Sequence, residues 1–290
     1  MNKIIILGGS GFLGKSLHSR LKKENFQVKT MIHTNDIELK SEKFKGNILS
    51  KSSLDSNISK GDTVINLVGQ FSGDISNFIN LNIEGGLNIL NTCVRKKISH
   101  LIFISTVNVY GENIVHPSKE TDILKTKNFY GIVKLVTEKI YENYAKVFGL
   151  NVTILRFSHI YGSSKKAGII SELLNSTNKN RSYNLFNNGK QQRDFLYVDD
   201  AVNGIIQAIN LHKSGFSIFN ISSGIRYSTK DLVNMIEKIS NRKMKINLSS
   251  EIPDEKCIWA DNSKAKKILK FYPLIDIKKG LAFSFTNSSK

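Results

Sequence analysis

Ile4-Ile5-Ile6-Leu7-Gly8-Gly9-Ser10-Gly11-Phe12-Leu13-Gly14 runs from an apolar stretch straight into three glycines spaced by three residues. Residues 3–7 read as a strand buried on both faces, and residues 11 to about 25 as the helix that follows. In such a turn Gly8 permits the sharp change of direction. Gly11 lets the backbone approach a pyrophosphate, and Gly14 lets the helix pack close to the strand. The helix N-terminus then offers N–H groups and a positive dipole end to phosphates. The spacing is G-x-x-G-x-x-G. Between a strand and a helix it points to a bound dinucleotide, with Ser10, Phe12 and Leu13 of the turn beside it.

The same pattern repeats outward from this turn. Apolar runs at 28–32, 63–68, 101–105 and 153–156 predict four more strands. Between them, Leu81, Leu87, Leu90 and Val94 predict one helix over 78–97, and Val133, Val136, Ile140, Tyr144 and Val147 predict another over 130–148. Strands separated by helices of this length imply a parallel sheet covered on both faces. The expected fold is therefore α/β, a Rossmann-type doubly wound parallel sheet over residues 1–162, with a smaller C-terminal substrate-binding lobe over 163–194 and 222–290. Residues 195–221 are expected to return to the main sheet, with a strand at 217–221. Residues 187–193 read as a polar loop. Ser228 to Asp231 resembles a capping box opening a helix that runs to about 239, and 263–269 reads as a short helix.

Composition narrows the classes. A chain of 290 residues with 40% hydrophobic content can bury a large core. No apolar stretch approaches the roughly 20 residues that span a bilayer, so a cytoplasmic protein without integral membrane contact is expected. Cys93 and Cys257 have no metal or redox spacing and are expected to be reduced packing residues, and no metal site is expected. The 42 basic and 24 acidic residues give a net charge of +18. The lysines are scattered and no basic tract is interleaved with aromatics, so a solvated surface is expected rather than a nucleic-acid partner.

The chemistry centres on Tyr130 and Lys134, four apart and so one turn apart on one helix face. Thr106 precedes Tyr130 by 24 residues, at the end of a predicted strand. A tyrosine with pKa about 10 is a poor base at neutral pH, and a neighbouring ammonium would favour its phenolate. Such a set fits acid–base work on an alcohol, with the Thr106 hydroxyl holding the substrate oxygen. After the second strand an acid would bind the ribose hydroxyls of NAD. Here His33, Thr34 and Asn35 follow Ile32, with no acid until Asp36. That favours NADP over NAD, with His33 as a candidate phosphate contact.

These residues carry a resemblance to the extended short-chain dehydrogenases/reductases of the NAD-dependent epimerase/dehydratase family, which act on nucleotide sugars. The resemblance spans nearly the whole chain. Gly46-Asn47-Ile48 resembles the Gly-Asp segment beside the adenine, and Asn66-Leu67-Val68-Gly69 the run after the third strand. Asn82 and Gly85 match an Asn-x-x-Gly, and residues 105–111 the S-S-x-x-V-Y-G segment that carries the catalytic hydroxyl. Residues 156–162 resemble R-P-x-N-x-Y-G, with Phe157 for Pro and His159 for Asn. Arg193-Asp194-Phe195-Leu196-Tyr197-Val198-Asp199-Asp200 and Ala260 to Ala265 match two later segments.

The resemblance implies Thr106, Tyr130 and Lys134 as catalytic residues. It implies cofactor contacts from Gly8, Ser10, Gly11, Phe12, Leu13, Gly14, Asn47, Ile48, Leu67, Val68, Gly69, Asn82, Tyr130, Lys134, Phe157, His159 and Ile160. It implies that Arg193 contacts the diphosphate of a nucleotide-diphosphate sugar, and it implies a homodimer. Gln70, Thr106, Asn108, Tyr130 and His159 are further candidate substrate contacts. A second phosphate-binding arginine, usual in the family, is missing from 249–257, which has only Lys256. Val107-Asn108 stand where the family's dehydratases carry Asp-Glu, which argues against loss of water. The absent acid after the second strand places a 4-keto reductase of an NDP-(deoxy)hexose slightly ahead. A 4-epimerase that retains NAD is the alternative. A non-catalytic dinucleotide-binding protein is a third reading, opposed by the intact Thr–Tyr–Lys set.

Overall fold

A computed structural model describes residues 3–33, 42–69, 73–163, 165, 167–211, 214–251 and 257–288. The chain begins β1 (Ile4–Leu7), α1 (Phe12–Lys23), β2 (Val28–Ile32), β3 (Glu42–Lys45), α2 (Lys51–Asp55) and β4 (Thr63–Asn66). It continues α3 (Ile75–Asn82), α4 (Glu84–Lys96), β5 (His100–Thr106), α5 (Phe129–Phe148) and β6 (Val152–Phe157). Next come β7 (His159–Tyr161), α6 (Ile169–Asn178), β8 (Tyr183–Phe186), β9 (Gln192–Tyr197), α7 (Val198–Ile209) and β10 (Phe216–Ile221). The last elements are β11 (Arg226–Ser228), α8 (Thr229–Ser240), β12 (Ile246–Ser249), β13 (Cys257–Ile258) and α9 (Ile277–Ser288).

Seven strands form one parallel sheet in the order β10-β6-β5-β4-β1-β2-β3. Every side chain of β1 is buried, because both faces of the sheet are covered. Ile4 and Ile6 join Leu17 and Leu21 of α1 and Ala201, Val202 and Ile205 of α7 on one face. Ile5 and Leu7 join Leu54 of α2, Ile89, Leu90 and Cys93 of α4, and Tyr141 of α5 on the other. Strand alternation thus distributes one apolar run between two cores, each fully buried Ile or Leu contributing about 1.5–3 kcal/mol. Both cysteines are buried and free.

The single helix expected over 78–97 is two helices, α3 and α4, broken at Ile83. Asn82 sends its side-chain Nδ2 back to the Phe78 carbonyl at 2.8 Å, a local bond that competes with helix continuation. β3 was not expected. Its residues are mostly exposed and charged, as suits an edge strand, and Glu42 pairs with both Lys3 and Lys29.

The remaining strands form smaller sheets. β9 pairs with β7, β11 and β13, and β8 pairs with β12. α6, α8 and α9 pack on them through Leu173, Leu232, Ile236 and Leu281. The loop expected over 187–193 is a single turn at Asn187–Gly189 followed by β9, so Gln192 and Arg193 are strand residues. Their polarity hides a strand whose ladder partners are distant in sequence. Within 195–221, β10 lies beside β6 in the large sheet and α7 packs against α1, while Phe195, Leu196 and Tyr197 belong to the small one. The Ser228–Asp231 capping box is present. Among the described residues no helix is long and apolar enough to cross a membrane.

Candidate active site

In the large sheet β1 lies between β2 and β4, and the chain crosses from one side of β1 to the other. A crevice opens where strand order reverses, at the carboxyl ends of β1 and β4. The turn Gly8–Gly14 leaves the first and Leu67, Val68 and Gly69 leave the second. Together they line a cavity of about 590 Å³. Gly8 has φ +88°, open to glycine without strain. A Cβ on Gly14 would lie 2.6 Å from the Gly8 carbonyl oxygen and 2.7 Å from Gly9 Cα, so helix and turn touch backbone to backbone. No side chain caps α1 at Gly11, and its first N–H groups are left for a ligand at the cavity wall. This cradle fits the pyrophosphate of a dinucleotide.

The opposite wall comes from β5, β6 and α5. Thr106 ends β5, and its Oγ1 accepts from the Asn108 N–H at 3.2 Å, holding the turn 107–110. α5 starts against that turn. Asn128 caps it by accepting from the Gly131 N–H at 3.1 Å, and a Cβ on Gly131 would lie 2.8 Å from the Asn108 carbonyl oxygen. This contact brings the first turn of α5, with Tyr130 and Lys134, to the strand end that carries Thr106. All three line the cavity, as do Asn108, Phe157, His159 and Ile160.

Tyr130 is half-buried and stacks on Phe78, with ring centroids 5.5 Å apart. Burial pushes its pKa up to about 12. An ammonium beside the phenol would favour the phenolate. In the protein alone, loss of water around the phenol outweighs it. Lys134 is fully buried over the Phe103 ring at 4.3 Å, with Nζ 3.4 Å from Asn82 Oδ1. Burial lowers its pKa to about 7, and the Glu138 carboxylate opposes that shift.

Glu138 itself was missed in the sequence. It sits one turn beyond Lys134 and forms a buried ion pair with Arg156 of β6, at 2.6 Å from Nη2. Ser105 donates to the same carboxylate, and Arg156 donates to the Tyr110 hydroxyl at 2.8 Å. The pair thus ties β5, β6 and α5 together behind Thr106 and Lys134. A charged residue at a helical interval within an otherwise apolar face was the available signal.

Other expected contacts lie elsewhere. His33 is exposed at the end of β2, outside the cavity lining. Asn47 bonds its own loop through the Leu49 N–H at 2.9 Å, and Ile48 is core, packed against Gly85. Asn82 stands behind Lys134. Gln70, like Thr34, Asn35, Asp36 and Lys256, lies outside the described residues. Arg193 is buried and lines a second cavity of about 280 Å³, which shares His159, Ile160 and Lys165 with the first. Lys15, Ile104, Ser158, Lys165 and Ala167 also line the first cavity and were not foreseen.

A crevice at the strand-order switch, a glycine cradle and a Thr–Tyr–Lys set share one cleft, and residues 4–222 match the NAD dependent epimerase/dehydratase family. The chain belongs to that family. It is 30% identical, over 96% of its length and 95% of the other, to a Bacillus subtilis (strain 168) protein named an uncharacterized UDP-glucose epimerase. It is 30% identical, with the same coverage of 96% and 95%, to a putative UDP-glucose 4-epimerase of Methanocaldococcus jannaschii. A crystal structure of the UDP-glucuronic acid 4-epimerase from Bacillus cereus, in complex with UDP-glucuronic acid and NAD, superposes with TM-score 0.89 at 27% identity, covering 98% of both chains.

Proposed function

We propose that this protein is a 4-epimerase of a UDP-sugar that keeps NAD through each turnover. The observation that carries the reading is the convergence of Thr106, Tyr130 and Lys134 on the cavity opened by the glycine turn. Relatives named as 4-epimerases move the choice away from the reductase that the missing acid near His33 favoured. NAD, when bound, supplies the chemistry of accepting a hydride from C4 and returning it.

The chain's own residues handle the proton and the geometry. Thr106 Oγ1 accepts from a backbone N–H, and its hydroxyl hydrogen can be donated to the C4 oxygen. Tyr130 Oη takes the proton from that oxygen and gives it back. Burial alone holds the phenol near pKa 12 and lowers the lysine to about 7, and a phenolate and an ammonium formed together in the loaded site would stabilise each other. Val107 is buried and Asn108 faces the cavity as a neutral amide, so these two positions supply no carboxylate for elimination. Two copies associate through the outer face of α5, where Phe129, Ile132 and Val136 are exposed next to Ile75 and Ile79 of α3.

Purified protein is denatured, the released dinucleotide identified, and intact protein incubated with UDP-glucose or UDP-glucuronic acid. The epimerase reading expects released NAD and a 4-epimer formed with no added cofactor. An empty site that oxidises NADPH against a 4-keto sugar nucleotide would replace it with the reductase.

A further inference from the structure

The two cavities meet at a wall made by His159 and Ile160 of β7 and by Lys165 in the segment after it. Lys165 is half-buried, and its Nζ is held by the Ile160 carbonyl oxygen at 2.6 Å, a neutral partner. Among the described residues no carboxylate lies within ion-pair distance of it. A half-buried ammonium whose partner is a neutral carbonyl is a favourable place for an anion from outside. Across the wall stands Arg193, near enough that both cations disfavour charge on His159. Burial is the larger reason that the imidazole stays neutral, the two cations add to it, and its buried Nδ1 has no hydrogen-bond partner among the described residues.

We infer that Lys165 is a substrate-positioning residue: with Arg193 and His159 it forms an anion seat between the two cavities that holds the diphosphate of the sugar nucleotide. This rests on the proposed nucleotide-sugar function and supplies the clamp that the chain's missing second arginine leaves open. A diphosphate at the wall places the sugar in the larger cavity beside Tyr130. The nucleoside then enters the smaller one, among Ile169, Ile170 and Phe195. The dinucleotide carries a diphosphate too, and Lys165 also lies 5.9 Å from the Phe12 ring beside the glycine turn. The presence of Arg193 in the second cavity, away from that turn, favours the sugar nucleotide as the source.

The test titrates UDP, uridine, inorganic pyrophosphate and NAD onto wild type, Lys165→Met and Lys165→Arg, with thermal melting as the check on folding. Loss of one charge-assisted contact should weaken UDP about ten- to a hundredfold in Lys165→Met. Pyrophosphate should weaken in parallel, uridine and NAD should hold, and Lys165→Arg should recover most of the loss. Unchanged UDP affinity in a folded Lys165→Met protein would overturn the inference. So would a loss confined to NAD, which would assign Lys165 to the cofactor, or a wild type that binds neither UDP nor pyrophosphate. If wild type binds UDP through Lys165 but epimerises no sugar nucleotide, the seat stands and the proposed reaction falls.

Discussion

The two walls of the cleft are built by different means. The wall that carries Thr106, Tyr130 and Lys134 stands on long parallel strands and a 20-residue helix, locked by one buried ion pair. The wall that carries His159, Lys165 and Arg193 stands on strands of three to six residues and the segment between them. It is held by bonds reaching far along the chain. Asp194 accepts from the Ser223 N–H at 2.9 Å and from the Gly224 N–H at 2.9 Å, and Asn220 donates to the Ser118 and Asp261 carbonyl oxygens. A rigid wall suits the groups proposed to move protons at fixed distance. A composite wall can change its lining without disturbing them.

Tyr130→Phe is the most severe way to divide the walls. Removing one oxygen from the rigid wall should lower kcat by about 10²–10⁴-fold, the usual contribution of a positioned acid–base group. UDP and dinucleotide affinity should hold, since the ring still stacks on Phe78. Turnover close to wild type in steady-state assays would remove Tyr130 from the chemistry.

The lock behind that wall comes next. Glu138→Ala leaves Arg156, 2% exposed, with no carboxylate partner among the described residues, and should cost about 3–5 kcal/mol in urea unfolding. Lys134 also loses the carboxylate that opposes its burial, so its ammonium becomes harder to keep. A loss below about 1 kcal/mol, the range of an exposed pair, would mean that the lock is not one.

What the sequence disclosed follows the same division. The runs at 4–7 and 28–32 are legible because all four side chains of the first, and Val28, Thr30 and Met31 of the second, are buried locally by the layers over the sheet. Tyr130 and Lys134 are legible because a helix fixes residues four apart. The Glu138–Arg156 pair is 18 residues apart and exists only once α5 lies across β6. Lys165, in a Ser-Ser-Lys-Lys run, looks like any solvated lysine until β7 and β9 place a wall around it. The first two residues of β9 read as loop because Gln192 and Arg193 are polar and their pairing partners, Tyr227 and Ser228 with Cys257 and Ile258, are remote. α3 and α4 were fused because apolar spacing continues through the break that the Asn82 side chain makes. Periodicity reports burial within one element, and the composite wall is made between elements.

Two glycines test how much each part of the fold can yield. A Cβ on Gly14 meets the backbone of Gly8 and Gly9 at 2.6 and 2.7 Å. A Cβ on Gly204 of α7 meets the Ile221 side chain at 2.7 Å. Backbone in a tight turn cannot move aside, while a side chain can change rotamer. Gly14→Ala should cost about 3 kcal/mol and Gly204→Ala about 1 kcal/mol, the two ends of the range for overpacking. Only Gly14→Ala should also weaken the dinucleotide. Equal losses in both proteins would mean that the turn adjusts as readily as a packed side chain.

The walls also differ through a pair of opposed pH slopes, one from each wall, in dinucleotide-free protein. Burial lowers Lys134 from 10.5 to about 7. Between those values the unfolded chain binds more protons than the folded one, so stability rises with pH. Burial raises Asp194 from 3.8 to about 6, against the hydrogen bonds from Ser223 and Gly224. Between those values the folded chain binds more, so this group's stability is present below 3.8 and is lost as pH rises through about 6. Each slope is at most one proton, about 1.4 kcal/mol per pH unit. The stability of wild type relative to Lys134→Met should therefore climb from about pH 7 upward, and relative to Asp194→Asn should fall from about pH 4 to 6. Slopes of the same sign in urea unfolding across both windows would mean that one wall does not bury its charge. The Tyr130 wall and the Arg193 wall would then differ in construction but not in electrostatics.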